Sequence, residues 1–469
     1  MGFPPHPSPQ RKQGNTGRRP LVLTRPSGPD SANTSDWCLC RSRKTPFVTE
    51  IRCCTTPITL RAWHVLPIAA EPIENGWVRI ERGRIAAIGR GQPSGQVHDL
   101  GDAIILPGLV NAHTHLEFSD LDRPLSPGGG LPAWIERVVT MRRSRAASGT
   151  DEAARLRAAV ASGLEESAAA GVTAIGEIAT AVHPAAAAGG LLVRVFRETL
   201  GLSSVAIHAA RSSLRRDLDR MNSEGTCTGI SPHAPYSVAE SLGREVVGEA
   251  VRRRLPMMMH LAESRDEAEL LATGGGAFRT LLEQLGAWQP ESPPRLLPVA
   301  DWITLLAKAP RGVVVHGTFL PEDQAALSRL ARHRDRLCVV VCPRTTLALS
   351  GRLPPVDVFQ AAGIRVAIGT DSRASNPDLS VLAECRALVE GGGVSPREAL
   401  AMATQHGAWA LGFERRCGML APGRFADLVI LRPASRHADP SEAVLDPATQ
   451  IAATLRRGRV IAGNIAGNK

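Results

Sequence analysis

Two histidines, His113 and His115, end an apolar run that begins at Ile104. In a β-strand, residues i and i+2 point to the same face, so both imidazoles should project together from the end of the strand. Two neutral imidazoles side by side suit a borderline divalent metal such as zinc. A surface His-x-His pair without a function explains the spacing about equally well, so the rest of the chain has to decide between the two.

Four further apolar runs end in a group that can bind metal or move protons. One run ends at His233, in the sequence His-Ala-Pro-Tyr, and another ends at His260 after three methionines, with Glu263 three residues later. His316 and Asp371 each end a run of their own. A lone histidine on an apolar strand is more often a packed core residue than a ligand. Whether these residues form one site therefore depends on how the strands that carry them are arranged.

Eight short β-type runs alternate with helical patterns between the two ends of the chain, which is typical of βαβ units. The runs are Ile104–His113, Val172–Ile178, Leu191–Leu200, Gly229–His233, Pro256–His260, Val313–His316, Cys338–Val341 and Arg365–Ile368. This pattern predicts an α/β fold, a (β/α)8 barrel, in which catalytic groups lie where strands end. A doubly wound sheet is the alternative fold, but the sequence lacks the Gly-rich phosphate loop that is typical of it. In a barrel all five endings fall on one rim, which is hard to explain by chance.

Both ends of the chain differ from this middle part. Residues 57–106 and 412–465 alternate apolar and polar residues, which predicts one small discontinuous β-sandwich domain beside a barrel at 107–411. Residues 1–56 are rich in Pro, Ser, Arg and Thr and lack periodicity. We expect this segment to be disordered, or a spurious extension from a start site assigned too far upstream.

Composition limits the possible partners. The net charge is +10, but residues 1–60 hold nine Lys/Arg against three acidic residues and so account for +6 of it. No basic patch interleaved with aromatic residues follows, so nucleic acid is not an expected partner. No run of 18 apolar residues indicates a membrane span. Nine cysteines in 469 residues form no disulfide framework, which indicates a reducing compartment, and we expect the cytoplasm.

Five motifs, PGLVNAHTHLE, SPHAPYS, HLAES, VHGT and GTDS, together resemble the amidohydrolase superfamily, specifically its cytosine-deaminase-like and chlorohydrolase-like branch. The resemblance covers roughly residues 58–460. It implies one divalent metal ion, zinc first and iron as the alternative, held by His113, His115, His260 and Asp371. A dinuclear branch of the superfamily uses a carboxylated lysine on strand four, and the fourth run here contains no lysine. One ion is therefore expected, able to lower the pKa of bound water.

The same resemblance implies a deaminase that releases ammonia from an aminated purine-type ring or nucleoside. Glu263 would protonate the ring nitrogen and shuttle protons, and burial would raise its pKa into the working range. His316 would orient or deprotonate the water, and Asp371 would accept its proton while bound to metal. His233 and Trp134 are expected to contact the substrate, and a homodimer is a reasonable expectation.

The sequence departs from one part of the family pattern. Relatives that act on adenosine-type thioethers usually carry a substrate-contacting Glu shortly after a Trp that corresponds to Trp134. Arg142 and Arg143 occupy the equivalent place, and a basic pair suits a substrate carboxylate, with Arg143 as the predicted contact. A solvated helix face explains the pair at least as well. The segments HTHLEF, PAWIERV and PRTT are more similar to those of deaminases that act on aminodeoxyfutalosine, an adenine nucleoside of menaquinone synthesis that bears a benzoate group. The candidate substrate is therefore 6-amino-6-deoxyfutalosine.

Two other functions remain open. A hydrolase of the same architecture could displace chloride or alkylamine from a triazine or another heterocycle. Glu263 favours loss of ammonia, because departure of an amine needs protonation of the ring nitrogen. A non-catalytic barrel used as a scaffold would be expected to lack ligands, and none is missing here.

Overall fold

The fold is that of a computed structural model, which describes residues 57–147, 149, 151–182 and 190–465. The predicted disordered or spurious segment 1–56 lies outside the described residues. The strands are β1 (Ile58–Val65), β2 (Ile73–Glu81), β3 (Arg84–Arg90), β4 (Val97–Asp99), β5 (Ile104–Pro107), β6 (Leu109–Thr114), β7 (Val172–Ala179), β8 (Leu192–Thr199), β9 (Cys227–Pro232), β10 (Met257–Leu261), β11 (Gly312–His316), β12 (Leu337–Val341), β13 (Val366–Ile368), β14 (Leu428–Arg432), β15 (Gln450–Arg456) and β16 (Arg459–Gly463).

Helices follow or separate most of these strands. The α-helices are α1 (Gly130–Ala147), α2 (Glu152–Ala169), α3 (Ser204–Ser223), α4 (Glu240–Arg253), α5 (Arg265–Thr273), α6 (Gly276–Gln284), α7 (Val299–Leu306), α8 (Gln324–Arg332), α9 (Pro343–Ser350), α10 (Val356–Ala361), α11 (Val381–Glu390), α12 (Pro396–Ala401), α13 (Gly407–Ala410) and α14 (Pro440–Leu445). A π-helical turn, Met402–His406, joins α12 to α13. None of the helices in these ranges is long and apolar enough to cross a membrane.

Strands β6 to β13 form a parallel sheet of eight strands in chain order. Its first and last strands adjoin at a seam, where Thr114 bridges Asp371 and the amides of Thr370 and Asp371 both donate to the carbonyl of His113 at 3.1 Å. The side chain of Asn111 completes the seam through two hydrogen bonds to Thr370. The sheet is therefore a barrel, with the seam next to the predicted site.

A second sheet has the strand order β16-β15-β14-β5-β1-β2-β3, with β4 paired to β1. The two ends of the chain meet where β5 and β14 run antiparallel, with Ile105 opposite Ile430. All eight strands belong to one continuous sheet. The predicted fold, a (β/α)8 barrel with a small β domain built from both ends of the chain, is confirmed.

The predicted first barrel strand, 104–113, is in fact two strands. β5 pairs within the small sheet, whereas β6 pairs with β7 in the barrel, and Gly108 lies between them. A Cβ atom at Gly108 would lie 2.2 Å from side-chain atoms of Thr173, so only glycine fits at this crossing. The strand that carries His113 is thus tied directly to the small sheet.

Apolar side chains fill the barrel interior beneath the rim. Phe196 and Met258 are fully buried there, with Leu411 and Phe413 from the segment after α13. Arg194 and Arg311, near the starts of β8 and β11, donate to the backbone carbonyls of Leu411 and Trp409, respectively. The amino end of the barrel is therefore closed, so the rim at the carboxyl ends of the strands is the place for a site.

Candidate active site

The predicted groups gather on the rim formed by the carboxyl ends of the barrel strands. His113 lies on β6, His260 on β10 and His316 at the end of β11, while His233 and Asp371 follow β9 and β13. A cavity of about 480 Å³ opens there. Its wall includes both apolar and ionisable side chains, among them His115, Phe118, Trp134, Val138, Arg142, Glu198, Leu202, His233, Tyr236, His260, Glu263, His316 and Asp371.

Asp371 faces two of the imidazoles. Its Oδ1 atom lies 3.6 Å from Nε2 of His113 and 3.6 Å from Nε2 of His115. The other oxygen, Oδ2, accepts a hydrogen bond of 2.8 Å from the hydroxyl of Ser375. This bond fixes the carboxylate so that one oxygen points to the histidine pair.

Second partners fix the orientation of His113 and His260. Nδ1 of His260 lies 3.0 Å from the carbonyl oxygen of His233, and Nδ1 of His113 lies 3.2 Å from the sulfur of Met258. Since a carbonyl and a thioether only accept, each Nδ1 carries the proton and each Nε2 carries a lone pair. Nε2 of His113 is buried and has no hydrogen-bond partner among the described residues. Such an arrangement is typical of histidines that ligate metal.

Burial keeps these imidazoles neutral. Desolvation is the main cause that lowers the pKa values of His113, His115 and His260, and each is lowered further by a neighbouring histidine. Burial also lowers the pKa of His316 to about 3 and that of His233 to about 4. Only a neutral imidazole can ligate a metal ion, so the site holds its histidines in the required form.

The donor atoms are close enough to share one ion. Those of His113, His115 and Asp371 all lie within 4.8 Å of one another, and so do those of His113, His260 and His316. Imidazole nitrogens with one carboxylate oxygen are a donor set that suits a divalent ion such as zinc. The four predicted ligands lie within these two overlapping groups, which share His113, and their donor types fit the group that the sequence predicted.

Three residues of this rim have an unusual backbone. Ala262, His316 and Asp371 have φ angles of 52°, 66° and 57°, in the left-handed region that residues other than glycine rarely adopt. Each stands at or just after the end of a barrel strand. Strain of this kind is found where a site dictates the direction of a side chain.

Glu263 lies beside the imidazole cluster. Its Oε1 atom is 3.4 Å from Nε2 of His316. Burial, and then the nearby carboxylates of Asp371 and Glu267, raise the pKa of Glu263 well above its usual range. Glu267 accepts hydrogen bonds from the backbone amides of Ala262 and Glu263 and so holds this turn in place. The site thus contains a carboxyl group whose surroundings favour its protonated form.

The structure separates the two arginines of α1. Arg142 borders the cavity, donates to Glu117 at 2.9 Å and stacks over the ring of Phe118 at 5.0 Å. Arg143 is exposed and does not border the cavity, because one step along a helix turns a side chain by about 100°. Arg142, and not the predicted Arg143, therefore lies where a contact with a molecule in the cavity is possible. Trp134 does border the cavity, where its Nε1 donates to the carbonyl of Ala374 at 3.3 Å.

One further acid, Glu198, borders the cavity near the end of β8. Its Oε1 atom is buried, and no described residue hydrogen-bonds to it. Donor atoms of Glu198, His233 and His260 lie within 4.8 Å of one another. Burial raises the pKa of Glu198 above its usual value.

The sequence profile of the amidohydrolase family matches residues 104–468, which is more than half of the chain. The chain belongs to this family. The predicted resemblance to the amidohydrolase superfamily is therefore confirmed, as is the prediction of an amidohydrolase-type hydrolase.

The chain is similar to several named proteins and to several solved structures. A 5-methylthioadenosine/S-adenosylhomocysteine deaminase of Moorella thermoacetica is 29% identical over 403 residues, which cover 82% of this chain and 87% of the relative. An aminodeoxyfutalosine deaminase of Deinococcus radiodurans is 31% identical over 336 residues, 66% of this chain and 74% of the relative. The crystal structure of Helicobacter pylori aminofutalosine deaminase in complex with methylthio-coformycin has a TM-score of 0.73 at 23% identity, covering 86% of this chain and 99% of that one.

Within this amidohydrolase, sequence reasoning missed Glu198. It follows Arg197 on the third barrel strand, and an Arg-Glu pair on a strand gives no indication which residue faces the cavity. The available signal was its position, since Glu198 lies near the end of the third strand, on the same rim as the five predicted endings.

Proposed function

We propose that this amidohydrolase is a hydrolytic deaminase that releases ammonia from the aminated ring of a purine nucleoside. The observation that carries the proposal is the acid Glu263, whose side chain is only 12% exposed and lies 3.4 Å from His316, beside neutral imidazoles in one cavity. The deaminase names of the relatives from Moorella and Deinococcus support it. An acid with a raised pKa suits departure of an amine, which must leave with a proton, whereas chloride leaves a triazine without one.

One divalent ion, zinc with iron as the alternative, would be held by Nε2 of three imidazoles and by Oδ1 of the carboxylate; the residues are His113, His115, His260 and Asp371. Such an ion lowers the pKa of water toward neutral and so supplies the nucleophile. Two observations support this ligand set: Nε2 of His113 is buried without a hydrogen-bond partner among the described residues, and Nδ1 of both His113 and His260 carries the proton.

The remaining roles follow from the protons that each group holds. Glu263 donates its proton to the ring nitrogen, which makes the adjacent amine-bearing carbon more electrophilic. His316, which is neutral because of burial, orients the attacking water through its Nε2 atom, the atom that lies next to Glu263. Asp371 accepts the first proton of the water. Glu263, ionised by its first transfer, takes up the second proton of the water as the carbonyl forms and passes it to the departing amine, which leaves as ammonia. Asp371 then returns its proton to Glu263.

We propose 6-amino-6-deoxyfutalosine as the candidate substrate. Of the described residues that border the cavity, Arg142 alone carries a permanent positive charge, and a guanidinium binds carboxylates with directional hydrogen bonds. The benzoate of this nucleoside is a matching group. His233 and Trp134 border the same cavity and would contact the nucleoside.

Ammonia release from a panel of substrates tests the proposal. The full chain, purified with zinc or iron supplied, would be assayed with adenosine, methylthioadenosine, S-adenosylhomocysteine and aminodeoxyfutalosine, and with atrazine for chloride release. We expect ammonia from at least one nucleoside, with the highest kcat/KM for aminodeoxyfutalosine. Folded, metal-loaded protein that releases ammonia from none would contradict the deaminase, and chloride release would favour the triazine alternative.

We further propose a reducing compartment, the cytoplasm. Cys338, Cys342, Cys385 and Cys417 are buried and form no disulfide among the described residues, which supports this proposal. The homodimer stays a prediction, and light scattering of the purified chain tests it.

A further inference from the structure

Glu198 is a buried carboxyl group without an assigned task. Its side chain borders the cavity, only 6% of the residue is exposed, and Oε1 has no hydrogen-bond partner among the described residues. A buried oxygen that accepts no hydrogen bond is costly unless a ligand supplies the missing donor. The roles proposed for the reaction do not use this group.

His233 presents a second acceptor beside it. The hydroxyl of Ser237 donates to the carbonyl of Ala234 at 3.1 Å, so its oxygen is left to accept from Nδ1 of His233 at 2.6 Å. Nδ1 therefore carries the proton of the neutral ring, and Nε2 carries a lone pair. Ser237 thus fixes the ring so that Nε2 accepts rather than donates.

Two acceptors within 4.8 Å of each other need a ligand with two neighbouring donors. We propose that Glu198 and His233 form a subsite for the vicinal hydroxyls of the substrate's ribose. This inference rests on the proposed function, since it assumes that a nucleoside occupies the cavity. A 1,2-diol supplies two O–H donors on adjacent carbons, whereas a carboxylate or a carbonyl supplies none.

The neighbourhood favours a diol over a second cation. A cation at Glu198 and His233 would need His260 as its third protein donor. Nδ1 of His260 is engaged by the carbonyl of His233, and its Nε2 belongs to the ligand set already proposed. The guanidinium groups of Arg142 and Arg197 also lie near enough to interact with the charge of Glu198 and would oppose a further positive ion.

Calorimetric titration with inosine and 2′,3′-dideoxyinosine tests the subsite without any need for turnover. We expect the wild-type protein to bind inosine about 10- to 100-fold more tightly, the range for hydrogen bonds to a charged group. Glu198→Ala should bind both nucleosides equally, and Glu198→Gln should retain part of the preference. Ser237→Ala, which leaves the carboxyl group intact but releases His233, should also weaken the preference, whereas the exposed control Glu269→Gln should keep it in full.

Several results would overturn the subsite. These are equal affinity of the wild type for the two nucleosides, no detectable binding of inosine, an unchanged preference in Glu198→Ala, or two tightly bound ions per chain. The test also separates this inference from the deaminase. Ammonia release without a hydroxyl preference contradicts only the subsite, and a hydroxyl preference without ammonia release from any nucleoside contradicts only the reaction.

Discussion

Among single side chains, Glu263 has the most specific role. It lies 3.4 Å from His316, outside the four proposed ligands, in an environment that raises its pKa. Glu263→Gln keeps the shape but cannot transfer a proton. We expect kcat to fall by about 10²- to 10⁴-fold while the metal content stays at the wild-type value. Steady-state kinetics and elemental analysis of the same samples measure both quantities.

The matched control for this substitution is Glu269→Gln, at an exposed position on α5, the helix that follows Glu263. It should leave both kcat and metal content unchanged. Wild-type turnover in Glu263→Gln would remove Glu263 from the mechanism, and loss of metal would make it a structural residue of the site.

Arg142 and Arg143 form a natural pair for a test of substrate choice. Only Arg142 borders the cavity, although its side chain is 40% exposed and bonded to Glu117. We expect Arg142→Met to raise KM for aminodeoxyfutalosine about 10- to 100-fold, because a charge-assisted contact to the carboxylate is lost. KM for methylthioadenosine, which has no carboxylate, should stay the same.

Arg143→Met serves as the control, because the same charge is removed from an exposed position one residue away. It should not change KM for either nucleoside. A carboxylate-specific effect in Arg143→Met, or an equal effect of Arg142→Met on both nucleosides, would contradict the assignment of Arg142.

Among strands and helices, the seam between β6 and β13 is closely packed. A Cβ atom at Gly369 would lie 2.7 Å from the carbonyl oxygen and 2.9 Å from the amide nitrogen of His113. Because backbone atoms cannot yield as a flexible side chain can, we expect Gly369→Ala to destabilise the fold by about 1–3 kcal/mol. It should also weaken metal binding, since His113 must move.

Gly248 offers a control for the seam. It lies exposed on α4, and nothing lies within 4 Å of a Cβ atom built there. Gly248→Ala should be neutral or stabilising by up to about 1 kcal/mol, since alanine has the higher helix propensity. Denaturant unfolding compares the two variants, and a Gly369→Ala protein as stable as the wild type would show that the seam tolerates a methyl group.

The strands were predictable because each is a short apolar run that ends in a polar group, a local pattern that β/α barrels repeat. The break at Gly108 was missed because the run is apolar on both sides of it, although the dipeptide Pro107-Gly108 is one that often marks a turn. The change of sheet is revealed by the pairing of β5 with β14 and of β6 with β7. The sequence also did not predict which face of α1 is turned to the cavity. Two adjacent arginines carry the same charge, and only packing decides which of them faces the cavity.

For the molecule as a whole, the barrel explains how residues far apart in sequence share one site. His113, His260 and Asp371 come from β6, β10 and the segment after β13, and the closed seam brings the first and last of these together. Motifs at strand ends were therefore sufficient to predict the candidate ligands. Glu198 was not predicted, because the feature that marks it is a buried oxygen without a hydrogen-bond partner among the described residues. That feature is a property of the folded chain.

The metal content of wild-type and His113→Ala protein tests the central claim most directly. His208→Ala, at an exposed position on α3, is the control. After purification with zinc supplied and dialysis, we predict about one ion per chain in the wild type and in the control, and background levels in His113→Ala. A wild type without bound metal, or a His113→Ala protein that retains its ion in full, would contradict the metal site on which the proposed reaction depends.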